Sequence, residues 1–179
     1  MVLSTLEKKN ILSLNKKYSI YAPWYDAKLF KKIVDAMAKP FLHAKVDKVV
    51  GLESRGFILG GAVAYKLGCG FVVARKKGKM FKKYSSSDVY SKSFIDYSGK
   101  KKQLELAKNE GVCKGERILV VDDRFSTGTQ GRAIIDLVEK KRGKIVGMSI
   151  LLNEMDQSTK KFFKKYNLHS ILTSQKNEK

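Results

Sequence analysis

The sequence predicts an α/β domain in which a central parallel sheet is flanked by helices. Two segments have the length and spacing of buried helices, residues 57–67 and 129–142. Short apolar, β-branched segments alternate with them, and this alternation is typical of a parallel sheet covered on both faces. The predicted strands are residues 48–52, 70–74, 117–121 and 144–152.

Three further elements extend this pattern at the two ends of the chain. Residues 26–38 carry apolar side chains at helical spacing and predict a helix before the first strand. Residues 157–166 and 168–173 predict a final helix and strand. Between the second and third strands, residues 76–111 do not fit the alternation, and the stretch 80–93 has few apolar residues, so we expect a mobile excursion with short strands that could cover a site.

Length and charge limit the classes of protein that fit. A chain of 179 residues is expected to form a single domain, residues 1–179. Its 37 basic and 17 acidic residues give a net charge of +20, which would attract any polyanion, whether nucleic acid or a polyphosphate substrate. The lysines are scattered through nearly every segment, which argues against one nucleic-acid groove.

The remaining composition favours a cytoplasmic protein without a membrane span. No apolar run approaches the roughly 20 residues that cross a bilayer, and the first fifteen residues lack the apolar stretch of a signal peptide. Cys69 and Cys113 have no metal-ligand spacing, so we expect two free thiols and no zinc site.

The strongest local signal is the segment 118–130, ILVVDDRFSTGTQ. Its apolar strand places Asp122 and Asp123 at the carboxyl edge of the predicted sheet, where open α/β sheets bind ligands. A loop of Ser, Thr and Gly follows, and a helix begins directly after it, so backbone amides and the helix dipole favour a phosphate. Carboxylates suit a sugar diol. Together these parts predict a ribose 5-phosphate pocket, and the chain lacks both the Walker and the G-x-G-x-x-G phosphate motifs.

This segment resembles the phosphoribosyl pyrophosphate (PRPP) signature of the type I phosphoribosyltransferases. Residues 48–61 (KVVGLESRGFILGG) and 71–79 (FVVARKKGK) resemble the corresponding blocks of the adenine phosphoribosyltransferases, in the same order. The resemblance implies the type I fold, with a small N-terminal hood and base segment at about residues 1–26 and a flexible catalytic loop at about residues 78–108. It also implies a homodimer and a Mg²⁺ cofactor held mainly by the substrate, with Asp122 as the side chain that could reach the metal.

The resemblance also implies roles for individual residues. Asp122 and Asp123 would hold the ribose hydroxyls, and Arg55 would act in catalysis by neutralising the departing pyrophosphate. A cis peptide is expected between Glu53 and Ser54. The 5-phosphate loop would comprise Ser126, Thr127, Gly128, Thr129 and Gln130, and the pyrophosphate site Glu53, Ser54, Arg55, Arg75, Lys76 and Lys79.

The pair Asp96 and Tyr97 matches a Glu-Tyr pair that the adenine enzymes use for proton transfer at the base. Asp96 is therefore a candidate acid/base group, although its side chain is one methylene shorter. An aspartate on the surface of the loop would look the same in the sequence.

The chain departs from the family pattern at three places. The phosphate loop usually reads Thr-Gly-Gly-Thr, whereas here Thr129 and Gln130 follow Gly128, and Arg124 stands where a hydrophobic residue usually follows the two acids. The usual Arg-Asp base-recognition loop is replaced by YAPWYD, in which Trp24 or Tyr25 could stack on a purine.

Two classes of function are compatible with these residues. The first is a purine phosphoribosyltransferase, adenine preferred, that makes AMP and pyrophosphate from PRPP; another base is its closest variant. The second is a regulatory protein of the same fold that senses PRPP or a nucleotide and binds nucleic acid through its basic surface. The loop that carries Asp96 favours catalysis, whereas lysines clustered on one face would favour regulation.

Overall fold

The computed structural model describes residues 3–17, 21–96 and 98–174. Its strands form one sheet in the spatial order β3-β4-β2-β1-β5-β6-β7. The strands are β1 (Lys48–Leu52), β2 (Gly70–Lys76), β3 (Val89–Ile95), β4 (Lys101–Ala107), β5 (Arg117–Phe125), β6 (Lys144–Asn153) and β7 (Leu168–Thr173).

Helices cover the sheet and connect its parallel strands. The predicted α/β fold with a central parallel sheet is confirmed, because β2, β1, β5, β6 and β7 run parallel. No helix in the described part of the chain is long and apolar enough to cross a bilayer. The helices are α1 (Thr5–Lys17), α2 (Ala27–Ala38), α3 (Arg55–Leu67), α4 (Thr129–Lys140) and α5 (Gln157–Phe163).

Two apolar clusters lie on opposite faces of the sheet. Alternate side chains of a strand point to opposite faces, so neighbours in β1 and β5 divide between the clusters. One cluster packs against α4 and α5, and the other against α2 and α3. The first contains Val50, Ile118 and Val120, and the second contains Val49, Leu119 and Val121.

The structure corrects the predicted end of the third strand and locates the short strands expected in the excursion. The third predicted strand ends at residue 121, but β5 runs on to Phe125, because β6 continues to pair with it as far as Phe125 opposite Asn153. Asp122 and Asp123 are therefore strand residues. The polar excursion at residues 76–111 contains a hairpin of two seven-residue strands, β3 and β4, and β4 joins the sheet antiparallel to β2.

The hairpin could not be located from its composition because polar runs, residues 91–93 in β3 and 101–103 in β4, interrupt its apolar residues. Several of the apolar side chains enter the core: Phe94, Leu104 and Leu106 are all buried. The helix α1 was also not predicted; its sequence is mostly polar, and it begins with a reciprocal capping pair between Ser4 and Glu7.

Candidate active site

A cleft of about 370 Å³ lies at the carboxyl ends of β1 and β5. These strands are parallel neighbours, so the segments that follow them meet at one edge of the sheet. The turn after β1, the end of β5, the loop before α4 and the tip of the hairpin all contribute side chains. The lining residues include Glu53, Ser54, Arg55, Lys76, Asp96, Asp122, Asp123, Ser126, Thr127, Gly128, Thr129 and Gln130.

The two aspartates of β5 form a buried carboxylate pair. Each is only 4% exposed, and Asp122 Oδ1 accepts the backbone N–H of Asp123 at 2.9 Å. Burial, and then the neighbouring Asp123 carboxylate, raise the pKa of Asp122 well above its ordinary value, while the Arg55 charge opposes the rise. The pair therefore resists carrying two negative charges in the absence of a further cation.

Arg55 begins α3 and faces this pair. Its Nε lies 2.8 Å from Asp123 Oδ2, an ion pair whose N–H is not aligned as a hydrogen bond. The start of α3 packs tightly on β5, since a Cβ on Gly56 would lie 2.9 Å from Asp122 Oδ1. The peptide between Glu53 and Ser54 is cis, as expected. The arginine turn and the aspartates thus lie together on one side of the molecule.

The loop from Ser126 to Gln130 leads into the N-terminus of α4. Gly128 precedes the helix with φ +72°, and a Cβ there would meet Thr159, Phe163 and Met155 at 2.6–2.8 Å. The first amides of α4 have no partner within the helix, so they and the helix dipole favour an anion.

The hydroxyl groups of the same loop are engaged within the protein. Ser126 Oγ donates to Glu154 Oε2 at 2.7 Å. The hydroxyls of Thr127 and Thr129 lie 2.9 Å apart, and Thr129 Oγ1 donates to the Ile95 carbonyl at 2.5 Å.

The basic segment at the end of β2 is only partly in the cleft. Lys76 lines it, and its backbone N–H donates to Glu53 Oε2 at 2.8 Å. Arg75 Nε lies 3.5 Å from the same carboxylate oxygen, and its guanidinium sits 5.9 Å from the ring centres of Phe57 and Phe81. Neither Arg75 nor Lys79 is a lining residue.

Asp96 lies at the hairpin tip and lines the cleft. Its Oδ1 accepts from the Ser98 hydroxyl at 2.7 Å, the Ser98 N–H at 2.9 Å and the Lys100 N–H at 3.0 Å. These bonds, the Ser98 hydroxyl foremost, lower the pKa of Asp96. Its partner in the predicted pair, Tyr97, lies outside the described residues.

The structure does not bring Trp24 and Tyr25 to the cleft, because neither is a lining residue. Trp24 lies in a short helical turn, where its ring meets Tyr21 edge-on at 5.1 Å and Phe30 at 6.5 Å, and it packs against the apolar core. Tyr25 is 78% exposed. The turn therefore places one ring against α2 and the other in solvent.

Two features in and beside the cleft could not be assigned from the sequence. Glu154 follows β6, far from every motif, yet it accepts the Ser126 hydroxyl and lies 3.7 Å from Arg124 Nη1. Phe94 and Lys102 reach the cleft from the hairpin, whose register carries no sequence signal. The one sequence signal for the region around Glu154 was Arg124, the unusual cation that follows Asp122 and Asp123.

No group of three or more His, Cys, Asp or Glu side chains arranged to hold a metal occurs in the described ranges 3–17, 21–96 and 98–174. The paired aspartates supply hard oxygen ligands, which suit Mg²⁺, but they do not make a complete coordination shell. Any Mg²⁺ here would need ligands from substrate and water.

The fold and the cleft together define an α/β protein in which paired carboxylates and the start of a helix meet at the carboxyl edge of the sheet. Residues 25–179 match the family described as "Phosphoribosyl transferase domain". The chain therefore belongs to the phosphoribosyltransferase family.

Two relatives named adenine phosphoribosyltransferase are similar to this chain over most of its length. The chain is 38% identical over 143 residues to the adenine phosphoribosyltransferase of Brachyspira hyodysenteriae, covering 80% of each chain. It is 39% identical to that of Dinoroseobacter shibae, covering 80% of this chain and 76% of the relative.

Solved structures agree with these relatives. Adenine phosphoribosyltransferase from Rhodothermus marinus superposes with a TM-score of 0.81 at 28% identity, over 96% of this chain and all of that one. The enzyme from Giardia lamblia complexed with 9-deazaadenine gives 0.75 at 28% identity, over 84% and 82% of the two chains.

Proposed function

We propose that this chain is an adenine phosphoribosyltransferase, which transfers the 5-phosphoribosyl group of PRPP to adenine and releases AMP and pyrophosphate in purine salvage. The observation that carries the proposal is the meeting of buried carboxylates, an arginine turn and an amide-rich loop in one cleft. The choice of adenine rests on the names of the relatives.

The roles of the residues follow from where the charges lie. Asp122 and Asp123 accept from the two ribose hydroxyls, and the loop 126–130 with the start of α4 holds the 5-phosphate through backbone amides. At the other end of the cleft, the cis turn at Glu53 and Ser54 and the cations of Arg55 and Lys76 bind pyrophosphate. Arg75 supports this end from outside the cleft through Glu53, and Lys79 adds to the nearby positive charge.

Departure of pyrophosphate sets the barrier that these residues lower. As the bond from C1′ to pyrophosphate breaks, positive charge develops on the sugar and negative charge on the leaving oxygen. Arg55 neutralises the latter charge, while the aspartates beside the sugar stabilise the former. Arg55 now pairs with Asp123, so substrate binding would share one guanidinium between carboxylate and pyrophosphate.

Asp96 would serve the base, since it lines the same cleft. When C1′ bonds to N9 of adenine, the N9 proton must leave, and an ionised carboxylate at the hairpin tip can accept it. The lowered pKa keeps Asp96 ionised at neutral pH. Tyr97, which lies outside the described residues, remains a predicted partner.

A divalent cation fits this chemistry. Mg²⁺ would be held by pyrophosphate oxygens, sugar hydroxyls and water, with Asp122 as the protein carboxylate nearest to that role. When bound, it supplies charge neutralisation for the leaving group. Its positive charge would also favour full ionisation of the aspartate pair, which burial disfavours.

Several finer expectations remain part of the proposal. Residues 1–26 would act as the hood, with Trp24 or Tyr25 meeting the base only after a rearrangement, and residues 78–108 would cover the cleft.

A homodimer is supported by exposed apolar side chains on and beside α3, Ile58 at 47%, Tyr65 at 90% and Phe71 at 38%. Sedimentation velocity would detect it. The free thiols Cys69 and Cys113 suit the cytoplasm.

The deciding experiment assays purified protein with PRPP, Mg²⁺ and each common nucleobase. We expect AMP formation from adenine, and loss of turnover of at least about 1000-fold in the double variant Asp122→Asn, Asp123→Asn. Circular dichroism of the same variant checks that it is folded. A folded double variant with wild-type rates would reject the roles of the aspartates, and no transfer to any base would reject the proposed function in favour of a sensor.

A further inference from the structure

The β3–β4 hairpin is fastened to α4 along its length. Lys92 Nζ lies 2.5 Å from Asp136 Oδ2, and Lys140 Nζ lies 4.6 Å from the centre of the Tyr90 ring. Further toward the tip, Phe94 is only 7% exposed. The last contact before the turn is the hydrogen bond from Thr129 Oγ1 to the Ile95 carbonyl.

A count of protons shows what this contact does to the phosphate loop. A hydroxyl has one proton to donate, and a carbonyl oxygen can only accept, so the Thr129 proton is committed to Ile95. Thr127 must then be the donor in its 2.9 Å contact with Thr129. Since Ser126 donates to Glu154, none of the three loop hydroxyls has a proton left for a phosphate.

The same contact fixes the position of Asp96. Ile95 is the last residue of β3, and Asp96 follows it directly at the edge of the cleft. The turn beyond is short, since Asp96 N–H donates to the Lys100 carbonyl at 2.9 Å. A tie at Ile95 therefore holds Asp96 and the described turn residues that bind it, Ser98 and Lys100. Glycine, usual at position 129 in the resembling family, has no hydroxyl and cannot make this tie.

We propose that Thr129 is a positioning residue: its hydroxyl latches the hairpin tip over the cleft and so places Asp96, while the 5-phosphate is bound by backbone amides of the same loop. This role rests on the proposed function, because it assigns the latch to the transfer reaction. The phosphate loop and the loop that covers the cleft are thus one connected unit in this chain.

The test compares Thr129→Val, which keeps the shape and removes the hydroxyl, with Thr129→Ser, which keeps the hydroxyl. We expect Thr129→Val to lower kcat about three- to tenfold, the range set by the net value of one hydrogen bond, with KM for PRPP changed less than about twofold. Thr129→Ser should restore kcat. Hydrogen exchange of the unliganded protein should show faster exchange at the amides of Asp96, Gly99 and Lys100 in Thr129→Val only.

Asp136→Asn provides the matched control, because it weakens another tie between the same hairpin and helix, away from the tip. It should leave exchange at the tip close to wild type. A raised KM for PRPP with unchanged kcat in Thr129→Val would show that the hydroxyl binds phosphate, and would overturn the latch. Unchanged exchange would overturn it as well. A wild-type protein inactive with every base would instead reject the proposed function, and the exchange data would still decide the latch.

Discussion

Replacement of Gly128 by alanine tests how tightly the phosphate loop is built. Gly128 has φ +72°, a conformation that L residues rarely adopt, and a Cβ would lie 2.6 Å from Thr159, 2.7 Å from Phe163 and 2.8 Å from Met155. Two costs therefore add: backbone strain and overpacking against Met155 and the two α5 side chains.

The expected loss of stability is the sum of the backbone strain and the overpacking. A left-handed backbone conformation costs about 1–2 kcal/mol for a residue with a Cβ, and overpacking typically costs about 1–3 kcal/mol. The neighbours are side chains rather than backbone, so they can shift in part, and we expect Gly128→Ala to lose about 3 kcal/mol. For a chain of this size that corresponds to a decrease in Tm of roughly 6–12 °C.

Gly68 supplies the matched control. It has a similar φ of +68°, but a Cβ there meets nothing within 4 Å, so Gly68→Ala should show the strain alone, a decrease of roughly 2–8 °C. Thermal unfolding by calorimetry gives both values, and titration with ribose 5-phosphate should show weaker binding only for Gly128→Ala. Equal losses of stability in the two variants would refute the packing argument.

Two further variants probe the charged centre of the cleft. The folded protein binds the Asp122 proton more tightly than the unfolded chain does, so stability is lost as pH rises from the ordinary aspartate pKa of 3.8 through the raised pKa of the folded state. Asp122→Asn removes that loss and should be more stable than wild type by ~1 kcal/mol at pH 7. Parallel Tm–pH curves for the two proteins would contradict this. Arg55→Lys loses the Nε contact with Asp123 and the planar donor set, so kcat should decrease about 10- to 100-fold while KM for adenine stays close to wild type; an unchanged kcat in steady-state assays would remove Arg55 from leaving-group stabilisation.

The central parallel strands were predictable because β1, β5 and β6 are buried on both faces over most of their length. Apart from Lys48, β1 is apolar throughout, and that leaves a clear signal in the sequence. The end of β5 was not predictable from the sequence. Asp122 and Asp123 are polar, and this part of the strand is held by pairing with β6. The short strands expected in the excursion could not be located for a related reason, since the exposed serines and lysine of residues 91–93 look like a loop until β2 provides an edge.

The cleft was predictable where sequence neighbours act together. Asp122 to Gln130 is one continuous segment, and topology alone brings its strand beside the turn that carries Arg55. Two contacts join residues that are far apart in the sequence. Ser126 and Glu154 are 28 positions apart, and Thr129 and Ile95 are 34 positions apart. No local pattern encodes such contacts. The position of Trp24 was not predictable for a different reason. Its place beside a proline does not indicate which aromatic rings it contacts or that it packs against the apolar core.

The hairpin is joined to the parallel sheet by a short junction of two residue pairs, Arg75 opposite Glu105 and Lys76 opposite Leu104. At that junction the Lys76 backbone also binds the Glu53 carboxylate. A change in the tilt of the hairpin would therefore move the Glu53 and Lys76 end of the cleft as well as the hairpin tip. Substitutions in this solvent-facing hairpin could in this way tune both ends of the proposed active site while the residues proposed to contact the sugar stay the same.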